Sequence, residues 1–154
     1  MNAAARQVIA TLGLEPLPHE GGLFRATWRN ATASNILFLI TPGDFSALHR
    51  LAQDEVWHFH AGDPVEHVQL DPRFGGGERV TLLGIDFSAG ERPQVVVPAG
   101  IWQGARLVQA RHGFALLGCT VSPPWDERGF ELAGRDTLLA EFPGHREIIV
   151  ALTR

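Results

Sequence analysis

Lysine and tyrosine are absent from this 154-residue chain, and cysteine and methionine occur once each. All 13 basic residues are arginine. Without a lysine amine the chain cannot form a Schiff base, anchor pyridoxal phosphate or build a Walker-type phosphate loop. Without tyrosine it has no phenol to act as a general acid or base. The lone Cys119 permits no intrachain disulfide and gives no sign of an oxidising compartment. Its place in the apolar run 115–121 reads as a buried, inert thiol. No stretch approaches the roughly 20 apolar residues of a membrane span, and the first residues lack the apolar core and cleavage site of a signal peptide. A cytoplasmic location is the expectation. Strong charge of either sign is also missing: a net charge of −4 gives no reason to expect nucleic acid or a membrane as partner. A hydrophobic content of 45% with 19% charged residues excludes a disordered chain.

Glycine and proline are plentiful, and they punctuate short apolar runs instead of gathering in one linker. Strands are expected at 23–29, 34–40, 45–51, 55–60, 65–70, 79–85, 94–97, 101–107 and 114–121. Between them lie turn signals such as Pro42-Gly43-Asp44, Gly62-Asp63-Pro64, Gly75–Gly77 and Pro98-Ala99-Gly100. Residues 2–12 carry apolar side chains at helical spacing and stop at Gly13. Helical period returns at 135–141 and 146–152. One domain over 1–154 is expected: an N-terminal helix in 1–14, a β-barrel over 20–122 and C-terminal helices over 135–152.

The segment 43–62, GDFSALHRLAQDEVWHFHAG, carries the chemistry. A hairpin joining His49 to Glu55 would set an imidazole beside a carboxylate, as a metal site or an acid–base pair requires. Strand alternation puts Leu51 on the face of His49, and Trp57 and Phe59 on the face of Glu55. By the same parity His58 and His60 point the other way. Trp102 has opposite parity to Gln103 and is expected to pack outward or at a subunit contact. Arg50, Arg92 and Arg106 are read as surface salt-bridging residues, with a clamp on phosphate or carboxylate as the alternative. The run 19–25, HEGGLFR, is read as a solvated turn into the first strand; the alternative is a cover over the barrel mouth presenting His19 or Glu20.

Gly43, five residues, His49-x-Leu51, three residues, Glu55, six residues and Gly62 resemble the first motif of the cupin superfamily, with Leu51 where a second His is usual. Pro98-Ala99-Gly100, then Ile101, Trp102 and Gln103, resembles the second motif with Gln103 in place of its His. The runs TPGDFSALHR, DEVWHFHAGDP, GERPQVVVPAG, LLGCTVSPPWD and EFPGHREIIVALT are similar to the cupin-5 family, formerly DUF985. The resemblance implies an all-β double-stranded β-helix, the cupin jelly roll, with short terminal helices, a pocket in the barrel mouth and a homodimer. It leaves the activity open.

Carried over position by position, the usual metal ligands fall on His49, Leu51, Glu55 and Gln103. Leucine cannot ligate and a carboxamide is a poor ligand, so no tightly bound cofactor is expected; weak divalent metal binding at His49, Glu55 and Gln103 is the alternative. The expected function is binding of a small polar or acidic molecule in a pocket of His49, Glu55, Gln103, Trp57 and Phe59. Whether the chain is an enzyme stays open. The catalytic alternative is a sugar or sugar-nucleotide isomerase or epimerase, using His49 and Glu55 as its acid–base pair.

Overall fold

The computed structural model describes residues 1–154. Helix α1 (Ala3–Leu12) begins where the Asn2 side chain accepts the Ala5 N–H at 2.8 Å, and ends on left-handed Gly13. Eleven strands follow in order: β1 (Glu15–Pro16), β2 (Leu23–Arg29), β3 (Ser34–Ile40), β4 (Phe45–Leu51), β5 (Asp54–Gly62), β6 (Val65–Leu70), β7 (Glu78–Leu83), β8 (Gln94–Val97), β9 (Trp102–Leu107), β10 (Ala115–Ser122) and β11 (Phe130–Leu132). Helices α2 (Arg135–Glu141) and α3 (Arg146–Ala151) close the chain. No helix is long and apolar enough to cross a membrane.

The strands form two antiparallel sheets, ordered β1-β2-β3-β10-β5-β8 and β11-β4-β9-β6-β7. This is the jelly roll that the sequence motifs imply. Strand alternation decides what enters it. Along β5, Glu55, Trp57 and Phe59 are buried while His58 and His60 lie on the other face, the second of them exposed. The core between the sheets joins Phe38, Ile40, Trp57, Leu117 and Cys119 of the first to Val65, Leu83 and Ala105 of the second. At roughly 1.5–3 kcal/mol for each large apolar side chain taken from water, this layer is a major part of the drive to fold.

Each sheet also has a covered outer surface. Helix α1 lays Ala5, Val8, Ile9 and Leu12 over Leu37, Leu39 and Leu116. On the second sheet, Leu48, Val68, Leu70 and Trp102 pack beneath Leu138, Phe142, Ile149 and Leu152 of the C-terminal helical segment. Trp102 thus packs outward as its parity predicts, and its cover is this helical segment; the Arg50 guanidinium stands 4.4 Å above its ring. Strands β1 and β11 have no counterpart in the sequence reading. They are too short to show alternation, and they exist because β2 and β4 offer free edges.

Candidate functional site

Strands β4 and β5 are joined only by Ala52 and Gln53, yet they belong to different sheets. The expected hairpin between His49 and Glu55 is therefore absent. The chain steps from one sheet to the other, and the two residues come from opposite walls of the interior. His49 is 2% exposed and Glu55 6%. Instead of bonding each other, they have separate partners.

His49 Nδ1 lies 2.8 Å from the Ala47 carbonyl oxygen. A carbonyl only accepts, so Nδ1 carries the hydrogen in the neutral ring and Nε2 keeps its lone pair. The tautomer is thus set by the backbone of β4, and the carboxylate of Glu55 does not hold it. Nε2 stands 3.9 Å from Glu20 Oε2, beyond hydrogen-bond length. Phe130 of β11 stacks on the imidazole with ring centres 5.5 Å apart.

Glu55 accepts a 2.6 Å bond from the Gln103 amide. The Gln103 carbonyl oxygen in turn accepts from the Trp57 indole at 2.9 Å and lies 3.3 Å from His67 Nε2. Burial pushes the Glu55 carboxyl up to about 7; His49 pulls it down, the negative charge of Glu20 adds to the rise, and the bond from Gln103 opposes it. His67 is fully buried, and burial holds it down at about 4 despite the Gln103 bond, so the ring is neutral near pH 7. Behind Glu55, the Cys119 thiol is raised well above its ordinary value by burial and by the carboxylates of Glu55 and Glu20. Its burial agrees with the apolar setting read from the sequence.

One member of this cluster escapes the sequence reading, and another stands in it only as the alternative. Glu20 enters from the loop ahead of β2, correcting the view of 19–25 as a solvated turn. Ser46 donates to Glu20 Oε1 at 2.7 Å, and the Ala47 N–H donates to the Glu20 carbonyl at 2.8 Å. Gly21 and Gly22, at φ 96° and 73°, permit the reversal; a Cβ on Gly22 would stand 2.6 Å from the Phe38 ring. His19 is turned to solvent. The missed residue is His67, whose signal was its inward parity with Val65 on β6. Phe59 belongs to the apolar core and makes none of the cluster's hydrogen bonds.

The surface arginines find local partners. Arg50 meets Glu131 at 2.7 Å, Arg106 meets Glu66 at 2.8 Å, and Arg92 bonds the carbonyls of Gly90 and Glu91. None pairs with the carboxylates of Glu20 or Glu55. Two surface clefts, of about 400 and 230 Å³, lie outside the cluster. Phe130 is common to both environments, since it forms a wall of the smaller cleft and stacks on His49.

The donor set does not suit the metal that the cupin motifs imply. Leu51 has no donor atom, and Gln103 turns its NH2 to Glu55 while its oxygen is taken by Trp57. No three His, Cys, Asp or Glu side chains gather as a metal ion requires.

Residues 6–133 match the family described as cupin superfamily (DUF985). A protein from Shewanella oneidensis is similar at 38% identity and TM-score 0.89, over 100% of this chain and 98% of that one. A hypothetical protein from Leishmania major is similar at 33% identity and TM-score 0.87, over 97% and 98%. A cupin 2 conserved barrel domain protein from Rhodopseudomonas palustris shares the fold at 17% identity and TM-score 0.64, over 92% and 89%. No curated protein matches the chain. The jelly roll, the motif positions on its inner walls and a family match over most of its length lead to one assignment: the chain belongs to the cupin-5 family.

Proposed function

We propose that the barrel interior is a metal-free binding site for a small, neutral, polar molecule. The observation that carries this is the burial of His49, Glu55 and His67 beside the partly exposed carboxylate of Glu20, without a single arginine on their charged groups. Such a cluster costs stability, and no tight ion pair within it recovers that cost. Groups of this kind are retained where they meet a ligand. Two carboxylates disfavour an acid or a phosphate, so hydroxyl and carbonyl groups are the matching chemistry.

The test is a thermal-shift comparison of neutral sugars and keto sugars against organic acids and phosphates. A ligand at about 100 times its Kd adds about 2.7 kcal/mol, or roughly 8 °C in Tm at this chain length. The shift should fall away in His49→Ala. Silence from the whole neutral class, or an undiminished shift in that variant, overturns the reading.

A second reading follows from the tautomer of His49 and the near-neutral Glu55. The bare Nε2 would take a proton from a carbon beside a carbonyl, while the Glu55 carboxylic acid gives its proton to the carbonyl oxygen, leaving an enol. Once the enol has turned its opposite face to His49 and the imidazolium has exchanged with solvent, His49 protonates that face while the enol proton passes back to Glu55, which gives the epimer and restores both residues. Glu55 thus fills the acid role for which the chain has no tyrosine. Deuterium from solvent should then enter the substrate next to its carbonyl, about 100-fold or more slowly in Glu55→Gln. Equal exchange in the variant removes Glu55 from the reaction.

A further inference from the structure

Hydrogen-bond direction is fixed along one buried line of side chains. An indole N–H can only donate, so the Gln103 atom 2.9 Å from Trp57 is the carbonyl oxygen. The end of Gln103 that lies 2.6 Å from Glu55 Oε2 is therefore the NH2 group, which also only donates. Oε2 must accept there in either protonation state of Glu55. We infer that Trp57, acting through Gln103, is a positioning residue that keeps Glu55 Oε2 as the carbonyl oxygen and assigns the acid proton to Oε1.

His67 reinforces the lock. Its ring stands 4.9 Å from the Trp57 ring, edge to face, and its Nε2 is 3.3 Å from the same Gln103 oxygen. Donation through Nε2–H leaves Nδ1 without a partner, and Nδ1 is indeed a buried atom that has none. Two donors on that oxygen oppose rotation of the amide. The rotation matters because a flipped Gln103 would point its oxygen at Glu55 and capture the acid proton in a bond between two protein groups. Held as it is, the proton stays on the oxygen free to meet a ligand. Its use on a substrate rests on the proton-transfer reading above; its location does not.

The experiment is infrared spectroscopy of the carboxylic C=O band near pH 5, identified by its loss in Glu55→Gln. The unmutated chain should show the lowered frequency of a carbonyl that accepts a bond. In Gln103→Met the whole band should move to the frequency of an unbonded carbonyl. In Trp57→Phe, which frees the amide to rotate, it should split into two populations. A band unmoved in both variants overturns the inference. Should Trp57→Phe fail to fold, the indole proton of the unmutated chain decides: its bonded NMR position must survive protonation of Glu55, and its collapse to the unbonded position would overturn the assignment. Absence of deuterium exchange in the unmutated chain would defeat the proton-transfer reading alone and leave the band positions unaffected.

Discussion

Glu55→Gln is expected to make the protein more stable by about 3 kcal/mol at pH 8, while slowing any proton transfer at the site about 100-fold or more. The carboxyl titrates near 4.5 in an unfolded chain and at about 7 in the fold. At about 1.4 kcal/mol for each pH unit, that gap makes the buried carboxylate a liability of about 3 kcal/mol once both states are ionised. The sign follows from proton binding. Below 4.5 Glu55 is neutral in both states, and between 4.5 and 7 only the folded chain holds the proton. Its contribution is thus lost as pH rises through that window. A glutamine still accepts the bond from Gln103 and carries no charge to bury. The gain corresponds to roughly 8 °C in Tm at high pH.

His67 works in the opposite sense. Its ordinary value of 6.5 falls to about 4 in the fold, so the unfolded chain takes up a proton first as pH drops. Stability from this group is present above 6.5 and lost through 4, again by about 3 kcal/mol. Between 4.5 and 6.5 the two slopes cancel in the unmutated chain. Glu55→Gln leaves the His67 slope alone, so stability should fall steeply as pH goes from 6.5 to 4. Urea unfolding across this range measures it. Parallel pH profiles for variant and parent would remove Glu55 as the raised group.

The double substitution Leu51→His and Gln103→His is expected to convert the interior into a tight divalent metal site. Leu51 shares the inner face of β4 with His49, and Gln103 pairs with His49 across β9. His49 already presents a bare Nε2. Three imidazoles and the Glu55 carboxylate would then converge, with Glu55 driven to its anion by the ion. Zinc or manganese should remain with the variant through desalting at one equivalent, and at about 1,000 times Kd should add about 4 kcal/mol of stability. A chelator should reverse the gain, and His49→Ala in the same background should abolish it. Equal retention by the parent chain would mean that Leu51 and Gln103 are not what keeps metal out.

How far the sequence foretells this molecule depends on whether a feature is local. The bounds of β3, β4 and β8 follow from short apolar runs broken by turn residues, and α2 from its period between Gly134 and Phe142. His49, Glu55 and Gln103 are recognisable from spacing, and Trp57 shares the Glu55 face by parity. The His49–Glu55 hairpin fails because two linking residues carry the chain between sheets, a crossing that no local signal marks. Glu20 stands in the sequence only as an alternative for a similar reason: it is brought in by a loop whose bonds run to Ser46 and Ala47, far along the chain. His67 hides behind the habit of assigning apolar side chains to the inner face of a strand. Only the complete set of neighbours shows an inward imidazole to be tolerable there.

The placement of Cys119 has one practical consequence. As the molecule's single sulfhydryl, sealed behind Glu55, it serves as a native clock for breathing of the barrel. An alkylating reagent can reach it only when the walls part, so the rate of labelling counts those openings. Comparison of that rate with and without a bound guest would register occupancy even for a guest that undergoes no reaction.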